Sequence, residues 1–169
     1  GFCPGAEFGP AKRWPHYHYA ALAKKLIDDG YQIALFGSAK DNEAGKEIIA
    51  ALSSEQQAWC RNLAGETQLE QAVILIAACK AVVTNDSGLM HVAAALDRPL
   101  VALYGPSSPD FTPPLSHKAR VIRLITGYHK VRKGDAAEGY HQSLIDITPE
   151  RVLQELNELL AEKTEHEEA

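Results

Sequence analysis

The sequence predicts an α/β domain built on a doubly wound parallel sheet of about six strands, with helices on both faces of the sheet. Strand and helix patterns alternate along the chain, which is the order found when helices connect parallel strands. The apolar runs at residues 81–84 and 100–104 are unbroken rather than alternating. Such runs are typical of strands that are buried on both faces, and this supports a parallel sheet.

The first half of the chain begins with a short apolar strand at residues 1–3. A helix follows, because apolar residues recur at intervals of three and four between Tyr19 and Ile27. Pro15 suits the first turn of that helix and Gly30 suits its end. The remaining elements are a strand at 31–36, a helix that Asp41 caps and that runs to about residue 51, a short helix at 54–59 and a weak strand at 60–63.

In the second half, Thr67 and Glu70 form a Thr-x-x-Glu capping box before an apolar helix at residues 69–79. Thr148 and Pro149 mark the start of the last helix, whose apolar residues recur at helical intervals. The other elements of this half are a helix at 88–96 and a sixth strand at 121–124.

Residues 125–147 have no clear helix or strand period. A segment of that length in a compact domain is either functional or mobile. It holds Lys130, Arg132 and Lys133 within four residues, in a chain that is otherwise mildly acidic. One interpretation is a mobile, solvated loop. The alternative is a cluster of cations that attracts an anionic substrate.

The composition excludes several classes of protein. A length of 169 residues with 46% hydrophobic and 23% charged residues suits one globular domain. The net charge of −5, part of it in an acidic tail at residues 162–169, argues against a nucleic-acid binder. The longest strictly apolar run, residues 72–79, is far shorter than the roughly 20 residues that span a bilayer.

Three cysteines without metal-ligand spacing favour free thiols in a reducing compartment. His16 and His18 have no Cys or carboxylate at ligand spacing, and we interpret them as the surface of a helix start. The chain opens without an initiator Met on a strand that is short for its class. We therefore expect that it was cut from a longer protein.

In a doubly wound sheet, ligands bind beyond the carboxyl ends of the strands. We therefore expect the functional residues in the loops that leave those ends. These loops lie at residues 4–14, 37–41, 64–67, 85–88 and 105–114. The sequence contains no Gly-x-Gly-x-x-Gly motif, no P-loop and no Gly-x-Ser-x-Gly elbow.

The segment from Asn85 to His91 carries the sharpest signal, because it follows an apolar strand and opens a helix. The free N–H groups of the first helical turn, with Gly88 allowing close approach, predict a phosphate-binding cradle. His91 lies on the same side as Ser87 and could donate to a phosphate oxygen. A phosphate would repel Asp86, so Asp86 fits sugar hydroxyls or backbone N–H groups better. The alternative is that Asp86 or Ser87 only caps the helix and that His91 is a core histidine.

Three other loops offer contacts to a nucleotide. Lys12 precedes a predicted helix and could reach a diphosphate as a point charge, or it could simply be solvated. Asp41 or Glu43 could bond both hydroxyls of a ribose, although a helix cap is the plainer interpretation of Asp41. The backbone around Thr67 could hold the edge of a base.

Four motifs in these loops share a resemblance to one known family. They are Pro4-Gly5-Ala6, Lys12-Arg13-Trp14-Pro15, Asp86-Ser87-Gly88-x-x-His91, and Leu103-Tyr104-Gly105-Pro106-Ser107 with Pro109. Together they resemble the C-terminal half of the bacterial lipopolysaccharide heptosyltransferases, a group within glycosyltransferase family 9. The resemblance covers nearly the whole chain.

The resemblance implies a GT-B architecture, in which two Rossmann-like domains face each other across a cleft. Residues 1–161 would form the nucleotide-sugar binding domain, followed by the tail at 162–169, and the N-terminal acceptor domain lies outside this chain. The implied reaction is the inverting transfer of L-glycero-D-manno-heptose from ADP-heptose to the first heptose of the lipopolysaccharide inner core, heptosyl-Kdo2–lipid A. The implied location is cytoplasmic, at the inner face of the inner membrane.

The resemblance also implies a role for each motif, with no cofactor and no metal. Lys12 and His91 would stabilise the diphosphate leaving group, and the general base would lie in the acceptor domain. The cations near Lys130 would face the interdomain cleft and the anionic acceptor. The donor-binding residues implied by the resemblance are Ala6, Lys12, Asp41, Glu43, Thr67, Asp86, Ser87, Gly88, Leu89 and His91. Asp41 is the first candidate for the ribose and Glu43 the second, Thr67 would lie near the adenine, and Asp86 would orient the heptose. Ser87, Gly88 and Leu89 would bind the diphosphate through their backbone N–H groups.

The implied partners are the nucleotide-sugar donor, the lipid-linked acceptor and the protein's own N-terminal domain. Neither nucleic acid nor a transmembrane segment is expected. Two rival functions stay open from the sequence. The chain could be half of another GT-B-like nucleotide-sugar enzyme, such as an epimerase, or a non-catalytic α/β module that binds a nucleotide.

Overall fold

The computed structural model describes residues 1–7, 9–127, 129, 131 and 133–168, and side chains only as far as residue 162. The strands in this part of the chain are β1 (Phe2–Cys3), β2 (Ile33–Leu35), β3 (Cys60–Asn62), β4 (Val82–Asn85), β5 (Leu100–Tyr104) and β6 (Ala119–Arg123). The α-helices are α1 (His16–Asp28), α2 (Asn42–Ala50), α3 (Ser54–Gln57), α4 (Leu69–Ala77), α5 (Gly88–Ala95), α6 (Gln142–Ile145) and α7 (Pro149–Glu168). Three 3-10 turns span Pro10–Lys12, Ala39–Asp41 and Ala137–Gly139.

The six strands of the described residues form one parallel sheet in the order β3-β2-β1-β4-β5-β6. The predicted doubly wound fold is thereby confirmed. The chain moves outward from β1 to β3 on one side and from β4 to β6 on the other. The order therefore reverses between β1 and β4, and the crevice beyond their carboxyl ends is where such a sheet binds ligands.

Two apolar layers cover the two faces of the sheet. One layer packs α1, α2 and α7 against the strands, with Leu22, Ile48 and Leu156 among its buried residues. The other packs α4 and α5, with Ile76 and Met90. All five residues of β5 are buried, as an unbroken apolar strand between two helical layers must be.

Strand β2 is shorter than the predicted 31–36, because Gly30 and Tyr31 complete the end of α1. Gly30 has a φ of 93° and donates to the carbonyl of Ile27 at 2.9 Å. Tyr31 donates to the carbonyl of Leu26 at 3.0 Å. A helix ending of this kind uses a left-handed residue, which glycine adopts without steric cost.

The predicted capping box before α4 is wrong by one residue. Gln68, not Thr67, holds the N-cap position, and its N–H donates to Oε1 of Gln71 at 2.9 Å. Ala72 donates to the carbonyl of Gln68 at 3.0 Å, so the helical hydrogen bonds begin there. A carboxamide oxygen accepts this bond as a carboxylate would. Thr67 consequently stays in the loop at the carboxyl end of β3.

Residues 125–147 contain more regular structure than the sequence predicts, including a 3-10 turn and α6. Tyr140, Leu144 and Ile147 are buried in this segment. The indole Nε1 of Trp14 donates to the carbonyl of Ile147 at 2.9 Å. A solvated loop is therefore the wrong description of its second half, which packs against the start of α1.

His16 and His18 join α1 to this segment, so their interpretation as free surface is also wrong. The Nδ1 atom of His16 lies 2.6 Å from the hydroxyl oxygen of Tyr140. The Nε2 atom of His18 lies 2.7 Å from the carbonyl oxygen of Ile145. Both rings are half-buried. These contacts join the first turn of α1 to residues 140–145.

The last helix begins as predicted, with the Thr148 hydroxyl accepting from the N–H of Arg151 at 3.2 Å. The helix continues to Glu168, through most of the acidic tail. Lys130 and Arg132 lie outside the described residues. The hypothesis that these charges attract an anion therefore stays a prediction. Among the helices that the structure describes, none is long and apolar enough to cross a membrane.

Asn85, the last residue of β4, joins the carboxyl ends of the two central strands. Its Oδ1 accepts from the N–H of Trp14 at 2.9 Å and from the hydroxyl of Tyr19 at 2.8 Å. Its Nδ2 donates to the carbonyls of Pro4 at 2.8 Å and Gly5 at 3.2 Å. These four bonds use the whole capacity of the amide, and they fix the β1–α1 loop against β4.

We expect Asn85→Ala to lower the free energy of unfolding by about 2–4 kcal/mol, because four buried polar groups lose their partner. Urea unfolding followed by circular dichroism measures this change. Asn157→Ala, at an exposed position of α7, is the control and is expected to lie within about 0.5 kcal/mol of the unmodified chain. Equal stability of Asn85→Ala and the control would contradict the prediction.

Candidate functional site

The candidate site lies in the crevice between the loops that leave β1 and β4. The β1–α1 loop and the first turn of α5 form its two sides, and the loops after β2 and β5 flank them. Asn85 holds the first two parts together. The sequence analysis placed its candidate residues in these loops, and the sheet order now brings the loops to one edge.

The first turn of α5 presents backbone N–H groups to the crevice. Ser87 occupies the N-cap position in an extended conformation, but its side chain makes no capping bond. A Cβ atom built on Gly88 would meet nothing within 4 Å. Helix N-termini attract anions through their unpaired N–H groups and the helix dipole. This turn is therefore open and suited to a phosphate, and the interpretation of Ser87 as a plain cap is wrong.

His91 is exposed one turn into α5 and makes no hydrogen bond or ion pair within the part of the chain that is described. The alternative of a core histidine is thus wrong. Leu89 is half-buried and packs against the core layer beneath α5. The imidazole of His91 is left available to a ligand at the same helix end.

Asp86 lies between β4 and α5 and is half-buried. Its Oδ2 accepts a hydrogen bond from the hydroxyl of Thr112, in the β5–β6 loop, at 3.1 Å. The carboxylate does not cap α5, so that alternative is also wrong. Asp86 instead bridges toward the loop on the other side of the crevice.

Lys12 and Arg13 differ in what they do, although they are neighbours in sequence. Lys12 ends the 3-10 turn of the β1–α1 loop and is half-buried. Arg13 turns inward, with Nη2 3.5 Å from the carbonyl oxygen of Ala6 and 3.6 Å from Oδ1 of Asp41. Its Nε is buried without a hydrogen-bond partner among the described residues. Arg13 therefore belongs to the frame of the loop, whose residue Ala6 is buried.

Asp41 lies at the contact between two glycine loops. Its Oδ2 accepts from the N–H of Ser38 at 2.8 Å, so its side chain turns back instead of capping α2. A Cβ built on Gly5 would lie 2.3 Å from the Asp41 carboxylate, and one built on Gly37 would lie 2.6 Å from it. Asp41 is thus enclosed beside the β1–α1 loop, at the edge of the crevice.

Glu43, the second candidate for the ribose, has a different environment. Its side chain is 80% exposed and forms an ion pair of 3.3 Å with Lys46, one turn along α2. Exposed pairs of this kind hold a side chain only weakly. Of the two carboxylates, Asp41 is the one that the fold positions.

Thr67 is half-buried in the β3–α4 loop, which contacts the β2–α2 loop. Gly65 donates to the carbonyl of Gly37 at 3.0 Å, and a Cβ on Gly65 would lie 2.7 Å from Cα of Ala39. Thr67 also lines one end of an open cavity of about 1120 Å³ that extends past Ile74. None of the phosphate-cradle residues lines that cavity, so it is separate from the crevice between β1 and β4.

The arrangement suits an anion at the start of α5 and polar groups on both sides of it. Within the described ranges, no group of three or more His, Cys, Asp or Glu side chains could hold a metal ion. Electrostatic groups that are fixed before a reaction stabilise developing charge efficiently.

The sequence analysis did not assign roles to Asn85, Arg13 or Thr112. A usable signal existed for Asn85, because a polar residue that ends a buried apolar strand must be hydrogen-bonded. For Arg13 and Thr112 no local pattern indicated a partner, since both partners lie in other loops.

The chain is similar to known proteins over most of its length. The model of glycosyltransferase family 9 (heptosyltransferase) matches residues 1–141. Lipopolysaccharide heptosyltransferase 2 of Escherichia coli (strain K12) is 88% identical over 163 residues, which are 96% of this chain and 47% of that relative. The chain thus spans about half the length of these curated relatives.

Two solved structures share the fold. The structure of E. coli ADP-heptose lps heptosyltransferase II aligns with a TM-score of 0.90 at 82% identity, covering 97% of this chain and 46% of that one. E. coli heptosyltransferase WaaC with ADP-2-deoxy-2-fluoro heptose aligns with a TM-score of 0.71 at 28% identity, covering 93% and 42%.

The two glycines at this site predict opposite effects of an added methyl group. We expect Gly37→Ala to lower the free energy of unfolding by about 1–3 kcal/mol, because the methyl group would crowd Asp41. Gly88→Ala is its matched control, since the space there is open and alanine is the better helix former by about 1 kcal/mol. Urea unfolding of both variants measures the difference. A Gly37→Ala chain as stable as Gly88→Ala would contradict the packing of Asp41.

Proposed function

The chain belongs to glycosyltransferase family 9, the heptosyltransferases, and on that basis we propose that it is the donor-binding half of an inverting heptosyltransferase. In this proposal it binds ADP-L-glycero-D-manno-heptose, and the whole enzyme transfers the heptose to the first heptose of the lipopolysaccharide inner core. The acceptor is heptosyl-Kdo2–lipid A. One structural neighbour, heptosyltransferase WaaC, holds ADP-2-deoxy-2-fluoro heptose, and this supports the donor.

The observation that carries the proposal is the open first turn of α5, where Gly88 leaves space beside free N–H groups. Ser87, Gly88 and Leu89 cradle the diphosphate with their backbone N–H groups. His91, exposed on the same helix, donates to a phosphate oxygen. Lys12 reaches the diphosphate from the facing loop. These groups meet at the β1/β4 crevice, where doubly wound sheets bind nucleotides.

The same groups explain how transfer is assisted. When the glycosidic bond to the diphosphate breaks, negative charge grows on the leaving phosphate oxygen. Lys12, the N-terminus of α5 and the imidazole of His91 stabilise that charge. The acceptor hydroxyl needs a general base, which we place in the acceptor domain. This chain alone is therefore expected to bind the donor and to turn over little or none of it.

The remaining candidate residues contact the adenosine and heptose parts of the donor in this proposal. Asp41 is the first candidate for the ribose hydroxyls, because it is held at the crevice edge, and exposed Glu43 is the second. Thr67 lies near the adenine, and Ala6 belongs to the loop that closes over the donor. Asp86 orients the heptose.

The partner of this half is the protein's own N-terminal domain, which supplies the acceptor site across the cleft. The chain's span of about half its relatives supports this arrangement. The lipid-linked acceptor places the whole enzyme in the cytoplasm, at the inner face of the inner membrane. The family match favours this function over the two rivals, an epimerase-like half and a non-catalytic nucleotide module.

A titration distinguishes these three functions. We expect ADP and ADP-heptose to bind the chain, and UDP-sugars to bind at least about tenfold more weakly, because in this proposal the loop of Thr67 accommodates adenine rather than uracil. Isothermal calorimetry with each ligand measures the affinities. Preference for a UDP-sugar would favour another nucleotide-sugar enzyme. Binding of ADP with no gain for ADP-heptose would favour a plain nucleotide module.

The role of Lys12 is tested by Lys12→Ala. We expect ADP binding to weaken by about 1–3 kcal/mol, the range for losing a hydrogen bond to a charged group. Lys24→Ala, at an exposed position of α1, removes the same charge away from the crevice and serves as the control. Calorimetry of both variants at one salt concentration gives the comparison. Equal ADP affinities in the two variants would remove Lys12 from the site.

A further inference from the structure

We propose that Thr112 is a positioning residue for the donor sugar: its hydroxyl holds the Asp86 carboxylate in the orientation that meets the heptose. The inference rests on the proposed function, in which Asp86 contacts that sugar. Thr112 lies 26 residues from Asp86, in the β5–β6 loop. Its hydroxyl donates to Oδ2 of Asp86 at 3.1 Å, and the carbonyl oxygen of Ser108 is a second, longer acceptor at 3.4 Å.

Two hydrogen bonds of its backbone hold Thr112 in place. Its N–H donates to the carbonyl of Ser108 at 3.3 Å, and its own carbonyl accepts from the hydroxyl of Tyr104. Ser108 is buried and closes the turn by accepting from the N–H of Asp110 at 3.2 Å. The hydroxyl of Thr112 therefore projects from a fixed point, which is what a positioning group requires.

Tyr104 connects this point to the phosphate cradle. It is fully buried at the end of β5, and its hydroxyl oxygen lies 3.2 Å from Sδ of Met90, on α5. Burial, with the nearby Asp86 carboxylate, raises the pKa of Tyr104, so its hydroxyl stays a proton donor. One side chain thus contacts both the helix that offers the cradle and the loop that carries Thr112.

Asp86 needs such a partner. It is half-exposed, and its carboxylate would otherwise rotate between side-chain rotamers at a cost in entropy when a ligand fixes it. With Oδ2 bound to Thr112, the second oxygen, Oδ1, has no hydrogen-bond partner within the described residues. That oxygen is then available to accept from a sugar hydroxyl at the end of the cradle.

The test uses the full two-domain enzyme that carries this chain. Thr112→Val keeps the shape of the side chain and removes the donor, whereas Thr112→Ser keeps the donor. We expect Thr112→Val to lower kcat/KM for ADP-heptose about tenfold, as for loss of a bond to a charged group. The inhibition constant of ADP should change by less than about twofold, because ADP lacks the heptose that Asp86 contacts. Thr112→Ser should recover most of the loss.

A double variant shows whether Thr112 acts through Asp86. We expect Asp86→Asn to lower kcat/KM for ADP-heptose, and Thr112→Val added to Asp86→Asn to cause less than about a twofold further loss, because the two residues act as one unit. Thr112→Ala carries the same expectation as Thr112→Val, so the test does not depend on the folding of one variant. Thermal unfolding of each variant accompanies the kinetics.

Several results would overturn the inference. One is an unchanged kcat/KM in Thr112→Val. Another is an equal loss for ADP and ADP-heptose, which would show that Thr112 only maintains the loop. If Asp86→Asn keeps full transfer activity, the inference fails while the proposed function stands. If the unmodified enzyme transfers nothing from ADP-heptose, the proposed function fails and the inference falls with it.

Discussion

The hydrogen bonds of one buried amide, Asn85, decide where the two sides of the crevice lie. In a doubly wound sheet the strands β1 and β4 are adjacent, but their loops turn to opposite faces. The Asn85 side chain bonds the backbone of Pro4, Gly5 and Trp14 and thereby fixes the β1–α1 loop against the start of α5. A buried amide that lost any of these partners would pay a large desolvation cost. The fold therefore tolerates little variation in the spacing of these loops.

The polar side chains at the crevice have two kinds of role: some hold the loops in place, and others remain exposed. Arg13 and Asp41 face each other at 3.6 Å inside the wall formed by the glycine loops, and each helps to hold the other. His91 remains exposed at the helix end. Because Arg13 and Asp41 carry opposite charges, this part of the crevice has almost no net charge, and it does not weaken the positive potential at the N-terminus of α5. In the proposed function, an anionic ligand binds at the helix N-terminus beside Lys12 and His91.

In the proposed function the enzyme divides its chemistry between two domains, and the geometry of this half fits its share of that chemistry. Stabilising a leaving diphosphate requires fixed donors that need not move during the reaction, and a rigid sheet edge provides them. Deprotonating an acceptor requires a base on the opposite side of the sugar, which a facing domain can supply. Tyr104 links α5 to the loop that contacts Asp86, so the proposed phosphate and sugar contacts share one anchor.

The sequence by itself determined the fold class, the family, the order of the strands and main helices, and the loops that hold the candidate site, but not α6. These properties depend on local patterns, such as unbroken apolar strands and helix starts, which short stretches of chain encode. Even there, one boundary differs from the prediction: Gln68, not Thr67, is the N-cap of α4. Thr-x-x-Glu and Gln-x-x-Gln boxes overlap in the sequence, and the local pattern alone did not distinguish them.

Only the tertiary structure decided which polar side chains meet. Asn85 and Trp14 are 71 residues apart, and Asp86 and Thr112 are 26 apart. No period in the chain encodes such pairs, because they depend on the strand order and on how each loop turns at the sheet edge. Lys12 and Arg13 illustrate the same limit: adjacent, similar residues whose different roles follow from where Asp41 lies. A hydrogen bond requires two groups within about 3 Å of each other, and only the folded backbone sets that distance.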